Sequence, residues 1–391
     1  MAPADPSVHE FASQWFEANG GAWRPNTRVD YGWQVTNHLL PFFKDHRLSQ
    51  ITIAEVHRYR ATKLRESARL AEALAAWHQQ IDKETDRRKR RELRRQRPPK
   101  PLSAVSINKT ITRLAQILEV AVEYEMIDRN PAKGKRRCVK AGKPAPVWLD
   151  RAEHIGALLD AAGELDREAR EDRQHVYRRA TVSVLVFAGL RIGELCDLCW
   201  RDVDLTAGKI TVRGHLIDSS RSQRVAKTDA GLRSIDILPV LGDVLRALKA
   251  QVQPQSADRV FPTLDGGRPN PSNIRNRVLA PSVKRANERL DEAGEVPLPE
   301  RIIPHKLRHT FASVLVALGV DPGSVMDQLG HTDPAFTLRV YRHGMRRDQA
   351  SNDALRSLVG LSDWAAMGSS SDTDTSSDLP ADPFGHQKTP R

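Results

Sequence analysis

From residue 9 to about residue 66, apolar side chains recur at helical spacing. Phe11, Trp15 and Phe16 form one run and Val35, Leu39 and Phe42 another, which predicts a set of amphipathic helices. Pro25-Asn26-Thr27 ahead of Arg28 reads as a helix start with Asn26 or Thr27 as its cap. A second stripe of Ile107, Ile111, Leu114, Leu118 and Val122 predicts a helix over 103–128, and Asn130-Pro131 closes it. The first part of the chain is therefore expected to be all-helical. Beyond Pro146 the pattern is mixed. Helices are expected over 151–162, 173–188, 240–252, 271–293, 304–318, 322–329 and 334–342, most of them punctuated by Gly or Pro. Short strands are expected over 209–212, 224–226 and 234–238, the last two joined as a hairpin through Thr228-Asp229-Ala230-Gly231. From Gly368 onwards Ser, Asp and Pro dominate, a composition that cannot bury enough apolar surface to order itself.

These patterns divide the 391 residues into four parts. Residues 1–132 are expected to be a helical domain with a basic insertion at about 68–101. Residues 133–146 are expected to be a basic, exposed linker, 147–362 a mixed α+β domain, and 363–391 a disordered tail. The fold class is mainly α with a small β-sheet.

Charge then narrows the class of partner. Sixty-one Lys and Arg against 49 Asp and Glu leave a net charge of +12, which favours a polyanion. Half of that excess lies in residues 83–97, where nine basic side chains face three acidic ones. Such a run reads either as a solvated helical extension or as an arm that contacts phosphates. The longest apolar run, residues 182–190, is too short to span a bilayer, and the N-terminus has no basic and apolar leader pattern. A cytoplasmic, nucleoid-associated protein that acts on nucleic acid and not on a membrane is expected. Cys138, Cys196 and Cys199 are too few for a disulfide scaffold. The Cys196-x-x-Cys199 spacing has no second pair nearby, so both thiols are expected as small core residues on a short helix over 194–200.

Candidate chemistry concentrates near the C-terminus. Pro304-His305-Lys306-Leu307-Arg308-His309-Thr310 is followed by Leu329-Gly330-His331, then by Thr337 and Tyr341. An Arg fork matches non-bridging phosphate oxygens, His exchanges protons near neutral pH, and Tyr can be an oxygen nucleophile. His305 and Arg308, three residues apart, are expected on one helix face. His309 is expected to pack.

This string resembles the catalytic domain of the tyrosine recombinases, the phage integrase family. Two further blocks agree with it in order. Ala188-Gly189-Leu190-Arg191-Ile192-Gly193-Glu194-Leu195, followed by Trp200-Arg201-Asp202-Val203-Asp204, resembles that family's first arginine motif, and Ala226-Lys227-Thr228 with Arg233 resembles its lysine hairpin. Ala226 stands where that family often has proline. More weakly, Phe11 to Trp15, Pro25 to Tyr31, Leu39-Leu40-Pro41-Phe42 and Asn130-Pro131 are similar to its helical, SAM-like core-binding domain. Many phage integrases carry a further N-terminal arm-site domain, whereas here the core-binding pattern starts by residue 9. The expectation is either an enzyme that works without arm sites or a true start upstream of Met1.

The resemblance implies a site-specific DNA recombinase that cuts through a 3′-phosphotyrosyl intermediate, with Tyr341 as nucleophile. Arg191 and Arg308 would clamp the scissile phosphate with His331 as a further donor, His305 would serve as base, and Lys227 would protonate the leaving 5′-oxygen. Glu194 is expected to orient Arg191. One phosphodiester is exchanged for another, so no nucleotide cofactor and no metal are implied. The implied partners are double-stranded DNA bearing attachment sites, a homotetramer on that DNA, and an accessory DNA-bending or directionality protein. The basic insertion and the tail favour a mobile-element integrase over an Xer-like chromosome-dimer resolvase. A non-catalytic DNA-binding regulator of the same fold and a type IB topoisomerase are the other readings.

Overall fold

The computed structural model describes residues 5–142, 148–169, 176–213, 215–216, 224–225, 232–299, 301–330, 334–345 and 347–360. The chain forms two compact units, Met1–Ala145 and Pro146–Arg391.

Every regular element described in the first unit is helical. α1 (Val8–Gly20) starts with a capping box in which Ser7 and Glu10 satisfy each other's backbone donors. α2 (Pro25–Gln34) has Pro25 at its first helical position and Arg24 at the cap without a side-chain bond. The Asn26 or Thr27 cap expected from sequence is therefore displaced, because a ring that lacks N–H and fixes φ suits the first turn itself. The helix then widens into a π turn, Val35–Leu39, before α3 (Leu40–Phe43). A π turn inserts one residue into the helical register. It explains why Phe43, fully buried, takes the core position expected for Phe42, which is half-buried.

α4 (Ile53–Lys83) runs for 31 residues, but its buried residues are only Val56, Tyr59 and Lys63. α5 (Arg87–Arg95) follows and buries none. α6 (Ala104–Glu123), capped by Ser103, supplies Ile107, Ile111, Leu114 and Leu118 to the core as its stripe predicts. These meet Phe11, Trp15, Leu39, Phe43 and Tyr59, whose hydroxyl donates to Thr110 Oγ1 at 2.8 Å. The start of the expected linker is pinned to this unit. Asn108 brackets Val139 with two hydrogen bonds, 2.9 and 2.7 Å, and Arg60 donates to the Arg136 carbonyl at 2.8 Å.

The second unit is built around α8 (Arg178–Phe187), whose residues from Val182 to Phe187 are all buried. A helix apolar on every side needs neighbours on every side. It packs against α7 (Ala152–Arg167) and, as the chain continues, against α10 (Pro239–Val252) and α13 (Pro304–Ala317). Short α9 (Ile192–Asp197) leads into the strands. β1 (Val203–Asp204), β2 (Lys209–Arg213) and β5 (Leu232–Asp236) form an antiparallel sheet in the order β1-β2-β5. β3 (His215–Leu216) and β4 (Arg224–Val225) form a separate two-stranded ladder. The expected hairpin between 224–226 and 234–238 is therefore not the pairing found among the described residues. β5 pairs with β2 along five positions from Lys209↔Asp236 to Arg213↔Leu232, and β4 pairs with β3. Both β4 and β5 pair with strands that precede them, and the turn signal at 228–231 lies in sequence between the two.

α11 (Pro271–Asn273), a π turn (Ile274–Leu279) and α12 (Ala280–Glu292) make one broken helix against α7. After α13 come α14 (Pro322–Leu329), α15 (Pro334–Gly344) and α16 (Gln349–Val359). The last was not foreseen. Asp348 caps it through Ser351, and Leu355 and Val359 are fully buried. Among the described residues no helix is long and apolar enough to cross a membrane. Lys227, His331 and the tail lie outside the described residues.

Candidate active site

The site is assembled where α13 crosses the loop between α8 and α9. Gly189 in that loop has φ +56°, and a Cβ there would lie 2.5 Å from Phe311 of α13. Only glycine meets both demands, left-handed backbone and close approach. Its carbonyl accepts a 2.7 Å hydrogen bond from Arg308 Nη1, so the same contact that packs the helix also fixes the arginine. Arg308 is 1% exposed, and its Nη2 has no hydrogen-bond partner among the described residues. Burial first, then the nearby charges of Arg191 and Arg233 against the opposing Glu194, push its pKa down to about 9. It remains a cation at neutral pH.

Arg191 is the N-cap residue of α9. Its backbone N–H donates to Glu194 Oε2 at 2.8 Å, its Nη1 to Glu194 Oε1 at 2.8 Å, and its Nη2 to the Gly330 carbonyl at 3.0 Å. Glu194 also accepts both amino groups of Arg233, Nη1 at 3.0 Å and Nη2 at 2.8 Å, in the fork geometry that suits a carboxylate. Burial alone would raise the Glu194 carboxyl, but the hydrogen bonds and charge of Arg233, joined by Arg191, hold it down at about 2. Arg233 Nε donates to the Gln328 carbonyl at 2.7 Å. The Gln328 side chain is bonded in turn to the backbone N–H and the carboxylate of Asp236. α9, β5 and the end of α14 are thus tied by a single polar network. Arg191 and Arg233 bind the Glu194 carboxylate directly, and Arg308 lies within electrostatic reach of all three, so three guanidinium groups face that carboxylate while the Asp236 carboxylate is bonded to Gln328.

His305 lies one turn before Arg308 on α13 and keeps access to solvent. The two share a helix but not a depth. Partial loss of water around the ring, then the charges of Arg308 and Arg191, lower the His305 pKa below its ordinary value. Its ring meets that of His309 edge to face, with centroids 4.5 Å apart, and His309 also meets Trp148 in the same manner at 6.5 Å. Tyr341 is half-buried on α15, which packs on α13 and α14. Thr337 and Val340 anchor this helix in the core, and at Gly344 a Cβ would meet Val316 of α13 at 2.5 Å. Among the described residues no hydrogen bond joins the Tyr341 hydroxyl to the arginines or to His305.

Two family profiles match the chain. The phage integrase family matches over residues 151–347, and the phage integrase N-terminal SAM-like domain over residues 7–64. The chain belongs to the phage integrase family.

Relatives of this integrase-family chain include the tyrosine recombinase XerC of Proteus mirabilis, 27% identical over 242 residues, 62% of this chain and 69% of that protein. Another is a putative prophage phiRv2 integrase of Mycobacterium tuberculosis, 26% identical over 344 residues, 86% of this chain and 74% of that protein. Among solved structures, the Tn1549 transposon integrase in complex with transposon right-end DNA matches with a TM-score of 0.62 at 18% identity, covering 91% of this chain and 100% of that one. A lambda integrase dimer bound to a COC′ core site matches with a TM-score of 0.57 at 14% identity, covering 88% of this chain and 80% of that one. At these identities the structural likeness is one of fold. By family, the chain is a tyrosine-type site-specific recombinase, an enzyme of mainly helical fold with a small antiparallel sheet.

Of the six residues expected at the site of this recombinase, four are placed. Arg191, His305 and Arg308 share one electrostatic neighbourhood, and Tyr341 is carried by a helix packed on that of His305 and Arg308. Lys227 and His331 lie outside the described residues. Glu194 does bind Arg191, as expected, but shares its carboxylate with Arg233. That bridging role was not foreseen, and neither were those of Gln328 and Gly189. Only the Ala188-Gly189-Leu190-Arg191 string carried a readable hint, a glycine two residues before a phosphate-type arginine. The thiols of Cys196 and Cys199 are buried, as expected of core residues, although the helix ends at Asp197 and Trp200–Asp202 forms a separate 3-10 turn. Among the described residues there is no group of three or more His, Cys, Asp or Glu side chains suited to a metal ion.

Proposed function

We propose that this chain is the integrase of a phage or other mobile element, which cuts and rejoins DNA at attachment sites through a 3′-phosphotyrosyl intermediate. One observation carries the reading. Arg308 is buried with a guanidinium nitrogen that lacks a partner among the described residues, beside two more arginines and one carboxylate. Three guanidinium groups to one carboxylate are a charge excess that a scissile phosphate would neutralise.

In this reading the Tyr341 hydroxyl oxygen attacks the phosphorus and gives its proton to His305, whose lowered pKa keeps it neutral and able to accept. The bond from phosphorus to the 5′-oxygen breaks, and Lys227 supplies the proton to that oxygen. Arg191, Arg308 and His331 hold the non-bridging oxygens as their charge grows. Attack by a 5′-hydroxyl on the phosphotyrosine reverses each step, so the two ester bonds are exchanged without an energy source. The first unit serves as core-binding domain, and a homotetramer brings four tyrosines to two duplexes in the cytoplasm. An accessory DNA-bending or directionality protein assists the assembly. The alignment to the prophage integrase spans 86% of this chain and that to XerC 62%, which supports a mobile-element role over chromosome-dimer resolution.

The test is a nicked duplex carrying the chain's own site, incubated with protein and resolved in denaturing gels. Wild type should give a covalent protein–DNA adduct, and Tyr341→Phe should bind the duplex and give none. Binding without any adduct by wild type would leave only the non-catalytic regulator.

A further inference from the structure

The insertion between the first family match and α6 is an ordered helical hairpin with its charge on one arm. α4 outruns the core after Lys63 by twenty residues, about 30 Å of helix. Those twenty residues carry three Lys or Arg and three Asp or Glu, so this arm is neutral apart from its histidine. α5 instead carries seven Lys or Arg against one Glu over nine residues. The two arms are fastened by side chains. Trp77 Nε1 donates to the Leu93 carbonyl at 2.7 Å, Arg90 Nε donates to the Ile81 carbonyl at 3.2 Å, and the Arg97 guanidinium lies 5.6 Å from the Trp77 ring centroid.

Arg90 and Leu93, three residues apart, define the side of α5 that faces α4, and Arg97 reaches the same side from just beyond the helix. Arg88, Arg91 and Arg95 recur at helical spacing about 180° away and form the outward face. Arg87, Lys89 and Arg94 flank it. All six are exposed, and none has an acidic partner among the described residues. Like charges one turn apart repel and disfavour a helix in isolation. Here they are held in place by an arm that contributes no net charge, which is the arrangement of a surface built to meet a polyanion.

We infer that the outward face of α5 is a second DNA-contacting surface that grips the phosphate backbone of duplex, without reading its sequence. Guanidinium groups spaced along one helical face position a protein on phosphates, whereas base readout needs side chains inserted into a groove. The inference rests on the recombinase reading for its partner. It goes beyond that reading by assigning a binding role to residues outside both family matches, which cover 7–64 and 151–347.

The test is the salt dependence of binding by the full chain to a random-sequence duplex of about 40 base pairs, because each neutralised phosphate contributes roughly 0.9 to the slope of log affinity against log salt. R88Q/R91Q/R95Q should lower that slope by about two to three and weaken binding about evenly across sequences. Replacing the same three residues by Lys should restore most of the slope. Circular dichroism checks that the Gln variant keeps its helices. An unchanged slope in a folded Gln variant overturns the inference and leaves an acidic protein surface as the partner of α5. The adduct assay on the nicked duplex separates this from the recombinase reading. Wild type that forms the adduct while the Gln variant keeps its slope loses the hairpin assignment alone. A reduced slope without any adduct loses the catalytic reading alone.

Discussion

Arg308 shows how much of this site is a matter of burial rather than of residue type. Its neighbours on α13 pack it under the loop of Gly189, and in the proposed reaction the loss of this one side chain removes a buried donor to the developing charge. Arg308→Ala should slow adduct formation by two to three orders of magnitude, about 3 kcal/mol in the barrier, with little change in duplex affinity. Glu194 is the counterpart. Its carboxyl is held at about 2 against an ordinary 4.5, so it contributes stability above pH 4.5 that is lost as pH falls towards 2, about 3 kcal/mol in all. Glu194→Gln should destabilise the fold by about 3 to 5 kcal/mol, because it leaves Arg233 buried and uncompensated. Adding Arg233→Met should recover part of that loss in chemical unfolding. A double variant no more stable than the single one would mean that the pair is not the source. For His305 the sign is opposite to that of a paired histidine. Its pKa is lowered in the free protein, so the neutral base persists into mildly acid solution, and the rate of adduct formation at limiting DNA, which reports the free enzyme, should begin to fall only below pH 6.5. These roles were legible as residue types at given spacings. Their depth was not, since the i to i+3 relation that joins His305 to Arg308 says nothing of which one the neighbouring loop covers.

At the scale of elements, the sequence was most readable where one helix face is apolar and least where the helical register changes. The stripe of α6 and the Pro322 and Gly330 that bound α14 were visible in the letters. The π turn at Val35–Leu39 was not, because an inserted residue leaves the composition of the run untouched and only moves Phe43 into the place of Phe42. Strand pairing was missed for a different reason. A turn signal fixes where the chain bends, but two short strands on one arm compete for the same partner, and β2 offered β5 the longer ladder. α16 was passed over because its polar surface resembles the tail beyond it, although the Asp348 cap and the pair Leu355 and Val359 were present. α15 depends on a contact that the sequence hides completely, the bare backbone of Gly344 against Val316. Gly344→Ala should push the helix of Tyr341 away from α13, costing about 1 to 3 kcal/mol of stability, and, if Tyr341 acts as proposed, should reduce the rate of adduct formation while sparing DNA binding. Pairing it with Val316→Ala should restore the rate.

Across the whole molecule, the family blocks told more than the composition did. A net charge of +12 pointed to a polyanion, whereas Arg191, Arg308 and Tyr341 in order pointed to a reaction. The structure adds where that charge is kept, on α5 and around Glu194, and the two stores behave differently. Cations on α5 are bathed in water and screened by any salt. The guanidinium groups of Arg191, Arg233 and Arg308 crowd one another around the Glu194 carboxylate, and Arg308, although its pKa is pushed down to about 9, stays charged at neutral pH. Free enzyme therefore carries an internal electrostatic load that only a bound anion lifts, and ligation then feeds back on folding by mass action. At equal ionic strength, phosphate or sulfate should raise the melting temperature above its value in chloride, and should do so less in Arg308→Ala. The protein should be least robust when this cluster holds no anion, so storage in phosphate or sulfate rather than chloride should lengthen its active life.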